Sequence, residues 1–277
     1  MLDSLLEDAG LMQRTKGEAL VSFGAGVPAR LLGLRQAGSA KAILPKMHGA
    51  APEVVFLNTS GGLTGGDRLR YGLRLGEGAR AVATTQTAER AYRVNQGRAE
   101  VDVVLQLAAG AELFWMPQEL ILFDGAAIAR KLRVEMGRGA RLVLLESLVF
   151  GRGAMGETVS RVHLRDRREV WRNGKCAMLE AIRMDDADLC RSGAAALGGH
   201  RAVASLSLFE DAAEDRLQPL RDVLDDLRGT GVEARASAWD GRITARLAAS
   251  DPNLLRKAIA IATKTLSGRA LPRVWPV

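Results

Sequence analysis

The chain is poor in the residues that most often carry metal and nucleophilic chemistry. Its 277 residues hold two cysteines, Cys176 and Cys190, and three histidines, His48, His163 and His200. Two thiols make no disulfide framework, and with thirteen residues between them they match no zinc spacing. No histidine stands in a nucleophile-like context and no G-x-S-x-G occurs, which argues against a Ser-His or Cys-His hydrolase. His163 alternates within a strand-like run and His200 sits in the turn-like LGGHRAV, so both read as structural. A tight transition-metal site within this chain alone is therefore not expected. Long apolar runs are missing too: none approaches the roughly 20 residues that a membrane helix needs. The opening MLDSLLEDAGLMQR is acidic and lacks the basic region and apolar stretch of a secretory signal, so a cytoplasmic protein is expected.

What is present describes an ordinary globular chain. Hydrophobic residues make up 47% and charged residues 26%. The net charge is +7 and the isoelectric point about 9.9, which raises nucleic-acid binding. The densest basic stretch, RVHLRDRREVWR (161–172), holds two acids and alternates, so it reads as a solvated strand face rather than a phosphate-tracking patch. An acidic protein partner would use such charge equally well.

Short β-type runs broken by glycine fill residues 54–184, with no sustained helical periodicity. Three of them repeat. LRLGEGARAVATTQ (73–86), LQLAAGAELFWMPQ (105–118) and VEMGRGARLVLLES (134–147) each carry a strand, a glycine step and a second apolar strand. Their anchor glycines, Gly78, Gly110 and Gly139, are 32 and 29 residues apart. A period near thirty in β-rich sequence predicts strand pairs stacked on their predecessors, as in a β-solenoid or layered sheet. Stacking would gather Gln86, Gln118 and Ser147, with Thr84, Thr85, Glu119 and Glu146, at one end of the strands.

The last third changes character. Residues 210–231 have helical apolar spacing and end at glycine, residues 232–249 alternate on both sides of Asp240-Gly241, and 250–268 begin with an Asp cap and Pro252. The fold expected is mainly β, a stacked β-helix-like or layered sheet closed by a C-terminal helix–hairpin–helix unit. Residues 1–16 are expected to be an extension outside a single domain spanning 17–277. The apolar tail RALPRVWPV should dock on the protein or on a partner.

NTSGGLTGGDRLR (58–70) invites a phosphate-loop reading, but Asp67 and Arg68 follow the glycines where a Walker loop needs Lys and Ser or Thr, and the next segment alternates as a strand. Nucleotide binding is rejected. The better-represented chemistry is carboxylate: Asp67, Glu119, Asp124, Glu146 and Glu157 stand in glycine-rich or strand-end settings. They could supply oxygen ligands to a divalent ion, or paired acids such as Glu119 and Glu146 to a β-solenoid hydrolase.

Taken in order, NTSGGLTGGDRL (58–69), TTQTAERAYR (84–93), WMPQELILFDGA (115–126), LLESLVFGRGAMGE (144–157), REVWRNGKCAMLEAIRM (168–184) and LPRVWPV (271–277) resemble the urease accessory protein family UreD, also called UreH. The resemblance runs from about Gly17 to the end. The departures are Asn58-Thr59-Ser60, where members often have His-Pro-Pro or Asn-Pro-Pro, and Glu89, where a neutral or basic residue is usual. It implies a largely β fold of stacked sheet layers and a protein that is not an enzyme. The implied role is a scaffold joining UreF and UreG to the urease apoprotein (UreA, UreB and UreC) during nickel insertion, as a dimer of UreD–UreF heterodimers, with the C-terminal helices towards UreF. No tightly bound cofactor is implied; nickel would pass transiently, through an internal passage. On that reading Asp67 is the acid of the glycine-rich loop beside Gly65 and Gly66, and Glu146, Arg152 and Glu157 belong to the block around GR-x-x-x-GE. Asp67, Glu146 and Glu157 then become candidates for a nickel path. Gln86, Tyr92, Arg93, Gln118 and Glu119 are the remaining motif positions.

Overall fold

The computed structural model describes residues 14–46, 51–191 and 197–275. Expectations for residues 1–13 and for His48 lie outside the described residues. Two sheets form the body. In the first, β14 (Lys175–Met184), β13 (Val162–Arg172), β11 (Ala126–Met136), β8 (Ala99–Leu107), β5 (Arg68–Leu75), β1 (Lys16–Phe23) and β2 (Leu31–Gly38) lie side by side in that order. In the second the order is β16 (Val232–Trp239), β17 (Arg242–Ala249), β15 (Ala202–Phe209), β12 (Arg141–Phe150), β9 (Glu112–Met116), β6 (Arg80–Thr85), β4 (Glu53–Asn58) and β3 (Ala40–Ile43). The short strands β7 (Glu89–Ala91) and β10 (Leu120–Leu122) continue the stack beside β12.

The repeat predicted from the glycines is the spine of this architecture. Leu73 pairs with Leu105 and Leu105 with Val134, all in parallel strands; Arg80 pairs with Glu112 and Glu112 with Arg141 on the facing sheet. Those displacements are the 32 and 29 residues that separate the anchor glycines. Each anchor sits at a tight turn between sheets with φ of 64–65°, a left-handed conformation that glycine adopts without the Cβ penalty. The turns stack on one another: Gly78 donates its N–H to Ala109 O at 3.0 Å, and Gly110 donates to Arg138 O at 2.9 Å. Parallel stacking with a two-sheet turn is the layered, solenoid-like β fold anticipated from the sequence.

Alternation within the strands sorts the side chains into two cores. Leu73, Leu105, Val134, Leu113 and Leu142 fill the space between the sheets. The other face of the second sheet, through Phe114, Val143, Leu145 and Leu206, packs against α2 (Leu217–Asp225) and α3 (Pro252–Ser267). Each fully buried leucine contributes roughly 1.5–3 kcal/mol relative to exposure. α3 starts where Asp251 accepts the N–H of Asn253 and Pro252 takes the first helical position, and it ends at Gly268 with φ 71°. Between the helices β16 and β17 form the expected hairpin around Asp240 and Gly241, both at positive φ. A one-turn helix, α1 (Asp186–Leu189), was not anticipated.

The tail docks on its own protein. Trp275 is buried, and its indole N–H donates to Thr84 Oγ1 at 3.2 Å and to Met116 O at 3.0 Å. The Arg256 guanidinium of α3 covers the ring at 4.8 Å. No helix among the described residues is long and apolar enough to cross a membrane.

Candidate functional site

One string of charges interrupts the apolar space between the sheets. The inward row of β11 runs Ile128, Arg130, Leu132, Val134, and that of β13 runs Leu164, Asp166, Arg168, Val170. Parallel register sets Arg130 opposite Asp166. Arg130 donates through Nη1 to Asp166 Oδ2 at 3.3 Å and through Nη2 to Glu146 Oε2. Glu146 also accepts the Trp115 indole N–H at 2.9 Å. Arg168 continues the string, 2.6 Å from Asp166 and 3.6 Å from Glu180, which meets Arg246 at 2.8 Å. Glu146, Asp166 and Arg168 are each only 3% exposed. Ions so deeply buried persist only with partners, and each of these has one.

The string divides two openings. On one side lies a cavity of about 100 Å³ lined by Phe56, Tyr71, Glu89, Trp115, Ile128 and Arg130, with Asn58, Gly61 and Gln118 also on its wall. On the other is a groove of about 490 Å³ lined by Glu146, Arg168, Ser205, Glu233 and Arg246. Arg130 thus faces the cavity and the Glu146 it holds faces the groove.

The electrostatics follow from burial and pairing. Burial pushes the Glu89 carboxyl up to about 6, against the pull of the Arg90 N–H, the Asn58 side chain and the charges of Arg90 and Arg130. Burial, reinforced by the charge of Glu89, raises the Tyr71 phenol. For Arg130 burial favours losing the proton, but Glu146 and Asp166 outweigh it and raise the pKa. Asp166 behaves in mirror image: burial raises it, and Arg130 with Arg168 prevails and lowers it. At the centre of the divide, Arg130 and Asp166 each favour the charged form.

The positions singled out from sequence fall in four places. Glu146 is in the divide. Asp67 is buried in the glycine turn, where Oδ1 accepts the Thr15 N–H at 2.7 Å and Oδ2 the Thr64 N–H at 2.8 Å. It ties the turn before β5 to the start of β1. A Cβ at Gly65 would lie 2.0 Å from Gln96 O, and Gly66 has φ 91°, so both must be glycine for the turn to close. Glu157 accepts from Arg152 N–H at 3.0 Å, Arg152 Nε at 2.8 Å and Asp124 N–H at 3.2 Å. Burial raises it and those hydrogen bonds prevail, holding it below the ordinary carboxylate range.

Around Glu157 the GR-x-x-x-GE loop meets the other motifs. Arg152 lies over the Phe123 ring at 4.6 Å, Tyr92 meets the same ring edge-on at 5.0 Å, and Arg93 pairs with Asp124 at 3.1 Å. Asp124 in turn accepts the N–H groups of Ser160 and Arg161, which lowers its pKa. The expected gathering of strand-end polar groups holds for Gln86 and Gln118: Gln118 Nε2 donates to Gln86 O at 2.7 Å and to Val274 O at 3.1 Å. Ser147, at the matching position, has a buried hydroxyl with no hydrogen-bond partner among the described residues. Glu119 pairs with Arg256 at 2.9 Å, while Glu146 pairs with Arg130, so the two acids weighed for hydrolysis sit in different ion pairs.

Arg130, Asp166, Arg168 and Glu180 escaped the sequence reading, and the stretch 161–172 is corrected in part. Its odd-numbered positions are the solvated face expected, but Asp166 and Arg168 occupy the inward register. The signal was there: both strands carry a charge in the phase otherwise held by Ile, Leu and Val. Among the described residues no three His, Cys, Asp or Glu side chains cluster as metal ligands would.

The family described as UreD urease accessory protein matches residues 16–276. A urease accessory protein UreD of Cereibacter sphaeroides (strain ATCC 17025 / ATH 2.4.3) is 50% identical over 276 residues, 99% of each chain. One of Jannaschia sp. (strain CCS1) is 52% identical over 265 residues, 96% of this chain and 97% of its own. A third, of Paracoccus denitrificans (strain Pd 1222), is 46% identical over 267 residues, covering 96% and 94%.

Proposed function

This chain belongs to the UreD family of urease accessory proteins, and we propose that it is the non-catalytic scaffold that joins UreF and UreG to the urease apoprotein and gives nickel an internal route towards it. The observation that carries the route is the ionised divide between the inner cavity and the open groove. In this reading nickel is cargo. The carboxylates lining the two openings, Glu89, Glu146 and Glu233, would hold a divalent first-row cation less firmly than imidazole or thiolate and release it readily.

Of the three carboxylates considered for the path, Glu146 occupies the decisive place. A dication reaching Glu146 must displace the Arg130 guanidinium, so in the free chain Arg130 keeps the route closed to cations. Asp67 and Glu157 hold turns through backbone N–H groups and line neither the cavity nor the groove. Assembly as a dimer of heterodimers with UreF, in the cytoplasm, belongs to the same proposal.

The test is complementation in cells whose native accessory gene is deleted, with UreF, UreG and apoprotein co-purified on this chain. Restored urease activity together with a complex containing all partners is the expected result. Restored activity without any such complex would remove the scaffold role, and hydrolytic activity in the purified chain would revive the enzyme reading.

A further inference from the structure

Among the described residues both ends of the stack have edge strands: β14 pairs only with β13 and β16 only with β17 at one end, and β2 only with β1 and β3 only with β4 at the other. A solenoid whose last strands present unpaired N–H and C=O groups invites an added strand, unless charge or a covering element blunts it. At the β2 and β3 end apolar side chains stand out beside the charged ones: Val27, Leu31, Leu32, Leu34 and Ile43 are all exposed, Leu32 at 68%. They make up half of the exposed large hydrophobic side chains among the described residues, collected on two strands and the turn before them. Residues 24–46 also carry four cations, Arg30, Arg35, Lys41 and Lys46, and no acid; Arg35 already pairs with Glu18 at 2.9 Å, which leaves Arg30, Lys41 and Lys46 as the cations the edge offers.

These three features together select an occupant. Unpaired backbone groups want another strand, the leucines want alternating apolar side chains, and the cations want carboxylates between them. A second copy of this chain fits poorly, because its own edge segment, residues 24–46, holds no acid to meet Arg30, Lys41 and Lys46. An anionic lipid surface would satisfy the leucines and cations but leave the backbone row unmatched. We propose that the β2 edge takes an extended, acidic segment of a protein partner as an additional strand, its apolar side chains on Leu32 and Leu34. For the choice of partners the inference rests on the accessory-protein reading.

The experiment uses the full chain with purified UreF, UreG and urease apoprotein in turn, read by hydrogen–deuterium exchange and by binding titration. One of the three should protect the amides of residues 31–38, and that complex should weaken as salt rises. The double variant Leu32→Asp, Leu34→Asp should lose at least tenfold in affinity for it, and Arg30→Glu with Lys46→Glu should flatten the salt dependence. All four positions are exposed, so these variants are expected to keep the wild-type unfolding midpoint. If wild-type chain complements urease and the edge variants bind all three proteins normally, the inference fails and the accessory role stands. If the free chain dimerises with protection at 31–38, or binds phosphatidylserine vesicles through this edge in place of the proteins, the inference is overturned. If the wild-type chain neither binds any of the three nor complements, both fail.

Discussion

Asp67 and Glu89 show how differently two carboxylates of neighbouring motifs are used. Asp67 accepts two backbone N–H groups from separate segments, so its removal unties β1 from the glycine turn. Asp67→Ala should lower unfolding free energy by about 2–3 kcal/mol, and Asp67→Asn by roughly half as much, in urea denaturation. Glu89 is raised from an unfolded value of 4.5 to about 6, so burial of its charge opposes folding. The folded state binds the proton more tightly. The penalty is therefore complete above about pH 6 and disappears below about 4.5. Glu89→Gln should stabilise the chain by about 1–2 kcal/mol at pH 8, a gain that shrinks as pH falls towards 4.5. Urea midpoints of both proteins at pH 5 and 8 check the sign. From sequence, Asp67 could be seen to stand after glycines, but which amides it meets depends on Thr15, 52 residues away.

At the scale of elements, the sequence was readable wherever the chain pairs with what is near it. The hairpin of β16 and β17, the capped α3 and the period of the stack are all set by local spacing, and the glycine offsets even give the strand register. The divide was not readable, because it joins β11, β12, β13 and β14 from two sheets. Local alternation tells that Asp166 faces the same way as Leu164, but not that Arg130 lies beside it. The tail likewise names no target until Trp275 is seen on β6 and β9. Its indole N–H has two acceptors there and its ring a guanidinium above it. Trp275→Ala should cost about 3–5 kcal/mol and shift the thermal midpoint down by several degrees in calorimetry, with Trp275→Phe recovering most of the packing and none of the hydrogen bonding.

Over the whole molecule, two apolar cores sit on the two faces of the second sheet, and the ionised divide crosses only the inner one. A charged string within a core is a costly choice for a purely structural protein, since well-packed apolar side chains of similar volume are often at least as stable. That cost is the physical reason for the proposal that the divide lies on a nickel route. The measurement that tests this most directly is nickel per active site in urease purified from cells in which Glu146→Gln replaces the wild-type residue, with assembly of the UreF and UreG complex scored alongside. Gln keeps the size and the Trp115 contact while losing the negative charge. The account predicts a normal complex and nickel content at least fivefold below wild type, partly restored by excess nickel in the medium. A normal complex with full nickel occupancy would contradict it, and would leave the divide as no more than a buried ion network.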